Sequence, residues 1–162
     1  MQQFLTWGDS FSVGHAALDG EHRLIIQAIN NICASCDEKG DPQELSVLFN
    51  KLKETTGKHF EHENAILRAV VAYTASERRG HVFIGAISQA VITEHIEEHA
   101  HAFMILESMI RDALPDTRPN AQPLREILSH WFVNHAVKND AHLKTLFQVM
   151  EKDCPDLLRR LS

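Results

Sequence analysis

Over most of this chain apolar residues recur at spacings of three and four, and no stretch alternates apolar with polar as a strand would. Three clusters of helix-breaking residues interrupt the pattern. Lys39-Gly40-Asp41-Pro42 reads as a helix stop followed by a start. Gly40 lies past the end of one helix, Asp41 caps the next, Pro42 takes its first position and Glu44 completes a capping box. Ser76 to Gly80 is a polar interruption ending in glycine. Pro115 to Pro123 carries prolines at 115, 119 and 123 and cannot be helical throughout. The helices so defined run from about Asp19 to Lys39, from Pro42 onward, from about His81 to Ala113, and from near Pro123. Four helices with short loops predict an all-α, up-down-up-down antiparallel four-helix bundle. The 162 residues amount to a single domain, 1–162. The first 18 residues read as an irregular arm anchored by Trp7 and Phe11.

The inward stripes are unusual in what they carry. Eleven residues of the chain are histidine, and each stripe holds at least one: His22 with Ile26 and Ile29; His59 with Leu52 and Ile66; His95 and His99 with Ile92 and Leu106; His135 with Leu128 and Trp131. If these histidines meet at one height, each loop must lie halfway between ligands on neighbouring helices. The midpoint of His22 and His59 falls between Gly40 and Asp41, that of His59 and His95 at Glu77, and that of His99 and His135 at Thr117. All three midpoints fall in breaker clusters. At the rise of an α-helix, every one of these histidines sits roughly 25 Å from the loops.

The spacing within each helix suits ligation. His59 with Glu63, and His95 with His99, are four apart and project from one face. His135 and Asp140 are five apart, about 140° around a regular α-helix. For both to point inward, the helix must widen locally into a π-turn; in an ordinary helix Asp140 points away. The set is His22, His59, Glu63, His95, His99, His135 and Asp140. Buried together without a counter-charge these groups would be very costly, and a metal removes the difficulty. Two six-coordinate irons offer about twelve positions. Five imidazoles, two bridging carboxylates and one bridging oxide or hydroxide leave one position for a small exogenous ligand.

Other function classes fit poorly. The net charge is −6 with no basic stripe, which argues against a nucleic-acid partner. The start, MQQFLTWGDSF, lacks the features of a signal peptide, and no apolar run approaches the roughly 20 residues of a membrane span. A soluble, cytoplasmic protein is expected. Cys33 and Cys36 form a C-x-x-C without a βαβ context and read as small buried thiols.

Trp7, FSVGHAALDGEH with Asp19 and His22, HFEHE at 59–63, HIEEH at 95–99 and WFVNHAVKND at 131–140 together resemble the bacterial hemerythrins over most of the chain. The resemblance implies that His95, His99 and His135 hold one iron and His22 and His59 the other, with Glu63 and Asp140 bridging. It implies reversible O₂ binding at the second iron, in a pocket lined by Ile25, Phe60, Trp131 and Phe132. Two features depart from the family: the 36-residue separation of His59 and His95, which the midpoint rule reads as second and third helices extended beyond the iron level, with an added helical segment as the alternative, and Asn64 where a second glutamate is common. The remaining histidines, His15, His62, His81, His101, His130 and His142, are expected on solvated faces. The function expected is an oxygen carrier, store or sensor rather than an enzyme, with O₂ as its ligand and a monomeric state. The alternatives are a di-iron peroxidase or nitric-oxide-handling enzyme on the same scaffold, a sensor module of a signalling system, and a bundle holding zinc or no metal.

Overall fold

The structure is a computed structural model that describes residues 4–37, 41–76, 89–113 and 121–161. After a 3₁₀ turn at Asp9–Phe11 come α1 (Ala16–Asp37), α2 (Pro42–Ser76), α3 (Gln89–Ala113), α4 (Ala121–Val133), a π-helical turn (Asn134–Asn139), α5 (Ala141–Asp153) and α6 (Pro155–Leu161). The predicted fourth helix is thus α4, the π-turn and α5 in succession, and α6 is an addition that the periodicity did not anticipate. Lys39 and Gly40, Glu77 to Gly80, Pro115 to Pro119, and His81, Ile84 and Ser88 lie outside the described residues. The capping prediction for α2 holds at its described part: Asp41 Oδ1 accepts from Gln43 N at 2.8 Å, and Asp41 O from Leu45 N at 3.0 Å.

The topology is visible in how each helix crosses the core. One apolar cluster contains Ile25, Ile29, Phe49, Leu52, Leu106, Leu128 and Phe132. A second contains Leu18, Ile66, Leu67, Ile92, Leu143, Leu146 and Phe147. Along α1 the chain passes from the second cluster at Leu18 to the first at Ile25, with His22 between. Along α2 it returns, with His59 and Glu63 between Leu52 and Ile66. On α3, His95 and His99 separate Ile92 from Leu106. On the fourth helix, His135 and Asp140 separate Phe132 from Leu143. The helices therefore alternate in direction, and one polar layer divides two apolar ones. α1 packs on α2 and α4, and α2 on α3. Arg125 of α4 pairs with Asp37 at the end of α1.

The N-terminal arm is tied down by polar contacts. Leu5 N donates to Asn30 Oδ1 at 2.8 Å and Asn30 Nδ2 donates to Leu5 O at 2.7 Å. The Arg23 guanidinium lies 3.8 Å from the Trp7 ring centroid, and the Phe11 ring packs on Phe132 at 5.3 Å. Asp19 holds the turn into α1, accepting from Ser12 Oγ at 2.6 Å and from Val13 N at 2.8 Å. Gly14, at φ 79°, makes that turn in the left-handed region, where a side chain would be strained. α1 begins at Ala16, three residues ahead of the sequence expectation, because His15 offers its Nδ1 to the Leu18 N–H at 3.5 Å. Cys33 is buried, Cys36 half-buried, and both are free thiols. Among the described residues, no helix is long and apolar enough to cross a membrane.

Candidate metal centre

The polar layer brings together all seven residues that the spacing singled out, each 2 % exposed or less. They form two groups that share Asp140. One is His22, His59, His135 and Asp140; the other is Glu63, His95, His99 and Asp140, with the ligating atoms of each group within 4.8 Å of one another. His22 Nε2 and His135 Nε2 each lie 3.3 Å from Asp140 Oδ2, and His95 Nε2 lies 3.7 Å from Asp140 Oδ1. Glu63 Oε2 faces His99 Nε2 at 3.1 Å, His95 Nε2 at 3.5 Å and His59 Nε2 at 3.7 Å. The π-turn is what turns Asp140 inward. Its wider winding brings positions five apart onto one face, and Asp140 N hydrogen-bonds to His135 O at 3.2 Å.

This grouping differs in one respect from the pairing that the resemblance implied, which put His135 with His95 and His99. The His135 ring stands 5.2 Å from that of His99 and 5.5 Å from that of His59. It is nearly midway, so a small turn of the ring decides which group it serves.

The outer hydrogen bonds of His22, His59 and His99 fix which nitrogen of each ring faces inward. His22 Nδ1 lies 2.8 Å from the Phe11 carbonyl oxygen, which can only accept, so Nδ1 carries the proton. His59 Nδ1 donates to Glu21 Oε2 at 3.0 Å, and His99 Nδ1 to Asn64 Oδ1 at 2.8 Å. The neutral rings then present bare Nε2 atoms inward. His22 Nε2 and His59 Nε2, both bare, are 3.1 Å apart. Lone pairs this close repel unless a proton or a cation lies between them. Both oxygens of Glu63 and of Asp140, and His99 Nε2, are buried without a hydrogen-bond partner among the described residues. Such orphaned acceptors call for positive charge, and imidazole and carboxylate donors of this kind suit divalent transition metals.

The electrostatics follow from crowding. Burial pushes the Glu63 carboxyl up, but the imidazoles of His59, His95, His99 and His135 outweigh it and hold Glu63 well below the usual carboxylate range. Asp140 is pushed up to about 6 by burial and by the charge of Glu63. Burial lowers His99 and, much further, His135, which favours the neutral ring that binds metal. His22 and His95 are lowered by burial but raised overall by Asp140 and Glu63 respectively.

The sequence reading missed Glu21. Its carboxylate takes His59 on one oxygen and His62 Nδ1 on the other, at 2.8 Å. Burial pushes Glu21 up, but these two hydrogen bonds hold it below its ordinary value. Position 40, halfway between Glu21 and His59, is in the first breaker cluster, but that height alone does not tell Glu21 from an ordinary surface acid. Partners of metal-bound histidines fix ring orientation, and their loss lowers metal affinity about 10–100-fold. Glu21→Ala is expected to weaken metal retention by that factor, read by metal analysis after competition with a chelator. His62→Ala is expected to have little effect, because it leaves the Glu21–His59 bond in place.

Of the four residues expected to line the ligand pocket, two contact the ligand rings. Phe60 stacks on His99 at 4.3 Å with 4° between the planes and meets His135 edge-on at 4.7 Å, and Phe132 meets His22 at 5.8 Å. Ile25 packs in the same apolar cluster. Trp131 is turned toward α3, where its Nε1 donates to Ala102 O at 3.0 Å.

The expectation of solvated faces holds for His101 and His130, which are exposed, and fails for three others. His81 lies outside the described residues. His15 is buried against Phe147 at 4.9 Å, because it caps α1 beneath the arm. His62 is half-buried by its bond to Glu21, and His142 is half-buried against the His95 ring at 4.8 Å. Burial, then the charge of His95, lowers His142 to about 4. The fold thus holds a neutral His142 while the unfolded chain takes up a proton near pH 6.5. Its contribution to stability is intact above that pH and is lost as the pH falls toward 4. His22 and His95, being raised, act in the opposite direction. A comparison isolates the effect: between pH 7 and pH 4.5 the urea midpoint of metal-free His142→Phe is expected to fall less than that of the parent.

The family model described as Hemerythrin HHE cation binding domain matches residues 13–147, a span that includes all seven converging side chains. Comparison with curated proteins gives no match.

Proposed function

We propose that this chain, which belongs to the hemerythrin HHE cation-binding domain family, binds O₂ reversibly at a pair of iron ions in the polar layer of its bundle. His22, His59, His95, His99 and His135 would hold the ions and Glu63 and Asp140 would span them, with an oxide or hydroxide as a further bridge. The observation that carries this reading is the set of bare imidazole nitrogens and orphaned carboxylate oxygens converging at 3.1–3.7 Å. Two irons so held would supply the two-electron reduction of O₂ and its reversal.

The chain's own residues favour carriage over oxidation. Five neutral imidazoles against two carboxylates place little negative charge on the site, and high-valent iron is correspondingly disfavoured. Phe60 and Phe132 cover the ligand rings and keep water from them, which slows proton delivery and irreversible oxidation.

The test is an optical spectrum of the purified protein, reduced without air and then exposed to it, with iron counted alongside. Two irons per chain, and a visible band that appears with O₂ and fades on its removal, are the expected result. Immediate and irreversible conversion to the diferric form would replace carriage by the redox-enzyme or sensor reading. Zinc, or no metal, would remove the di-iron assignment.

A further inference from the structure

One buried hydroxyl of the core is left without a task. Thr56 of α2 is fully buried, and its Oγ1 has no hydrogen-bond partner among the described residues. A threonine inside a helix can return its hydroxyl proton to a carbonyl of the preceding turn. Thr55 does so to Lys51 O at 2.8 Å, Thr74 to Val71 O at 2.9 Å and Thr93 to Gln89 O at 3.0 Å. Thr56, beside Thr55, makes no such bond to Leu52 O. A buried hydroxyl without a partner lowers stability. Valine, of nearly the same shape, would not carry that cost.

The position of Thr56 limits what its hydroxyl can serve. Leu52, Thr56, His59 and Glu63 fall within about 60° of one another around α2, and all four are buried. Thr56 therefore faces inward on the stripe that carries two of the candidate ligands. It stands three residues from His59 toward the first apolar cluster, about 4.5 Å along the helix. Ile25 stands three residues from His22, Ala102 three from His99 and Phe132 three from His135, all toward that same cluster. These four residues form the tier next to the polar layer. Phe60, four residues on from Thr56, stacks on His99 and meets His135 edge-on. Ile25, Phe60 and Phe132 are three of the four residues expected to line the ligand pocket. Among these side chains Thr56 is the one hydrogen-bond donor. With the imidazoles and carboxylates engaged by metal, a ligand from solution is the partner left to it.

We propose, on the di-iron reading above, that Thr56 Oγ1–H donates a hydrogen bond to the small ligand that the metal pair takes from solution. Apolar surroundings strengthen such a bond, and a donor set in place beforehand stabilises negative charge as it develops. The ligands it favours are O₂ as it gains electrons and small anions.

The experiment compares the full chain with Thr56→Val and Thr56→Ser. Azide, a small anion that accepts hydrogen bonds, is titrated optically into each iron-loaded, oxidised protein. Thermal unfolding of the metal-free proteins is measured alongside. Thr56→Val is expected to bind azide at least about threefold more weakly, while Thr56→Ser, which keeps the hydroxyl, stays within about threefold of the parent. Metal-free Thr56→Val is expected to unfold at least about 2 °C higher, because the orphaned hydroxyl is gone. A hydroxyl with a purely structural role would give the opposite sign. The proposal is overturned if the iron-loaded parent binds no azide, if Thr56→Val binds it within about threefold of the parent, if Thr56→Ser is as weak as Thr56→Val, or if the Tm does not rise. The two readings fail differently. With two irons retained, these results bear on the donor role alone. With no iron retained, the di-iron reading falls and the donor role falls with it.

Discussion

On the di-iron reading, Asp140→Ala is expected to reduce the iron content from two ions per chain to one or none. Asp140 is the residue common to both ligand groups, one oxygen facing His22 and His135 and the other facing His95. Losing an outer partner of a ligating histidine lowers affinity about 10–100-fold, and removing a carboxylate shared by both groups should exceed that, by about 100-fold or more in total. The fold itself should survive in the metal-free state, because the substitution deletes a carboxyl that burial already pushes up to about 6. Metal analysis after exhaustive dialysis, with circular dichroism as the control for folding, reads the result. Retention of two tightly bound irons would show that Asp140 does not span them.

Phe132→Ala is expected to have the largest effect on stability. The ring is fully buried, packs on Phe11 at 5.3 Å and forms the wall over His22 at 5.8 Å. Truncating a buried phenylalanine costs about 3–5 kcal/mol. In a domain of this size each kcal/mol lowers Tm by about 2–4 °C. The cavity would also open the His22 side of the centre to water, so the ferrous form should oxidise faster. Phe132→Leu, which fills most of the volume, should lose less than about 1.5 kcal/mol. Thermal unfolding of the metal-free variants separates packing from metal binding, and a loss below 1 kcal/mol for the alanine variant would contradict the wall assigned to this ring.

The fold and the convergence of the candidate ligands were legible in the sequence for one reason. The histidines lie equidistant from breaker clusters, and only an antiparallel bundle turns equal contour length into equal height. The π-turn was legible for a related reason, since His135 and Asp140 could share a face in no other winding. What escaped notice has different physics. Glu21 joins His59 and His62 across two helices, and its neighbours in sequence mark it as an ordinary surface acid. The burial of His15 depends on the arm folding back over the end of α1, which no periodicity reports. α6 follows the Cys154–Pro155 break and carries too few residues for a periodic signal. The place of His135 between the two groups is a matter of ring rotation, which spacing cannot resolve.

The π-turn also makes the fourth helix tolerant of a change in length. It accommodates one residue more than an α-helix would between two fixed directions, and Lys138 within it is exposed. Deleting Lys138 should let the segment rewind as α-helix, leaving histidine and aspartate four apart, still side by side, and Leu143, Leu146 and Phe147 still in phase with the core. An alanine inserted after Lys138 should instead swing everything beyond it by about 100°. The deletion is expected to keep the bound metal and the insertion to lose it, by metal analysis of the two variants. The metal face and the far end of the bundle are thus joined by a piece of chain with a residue to spare, and shortening is the one indel that this helix can absorb.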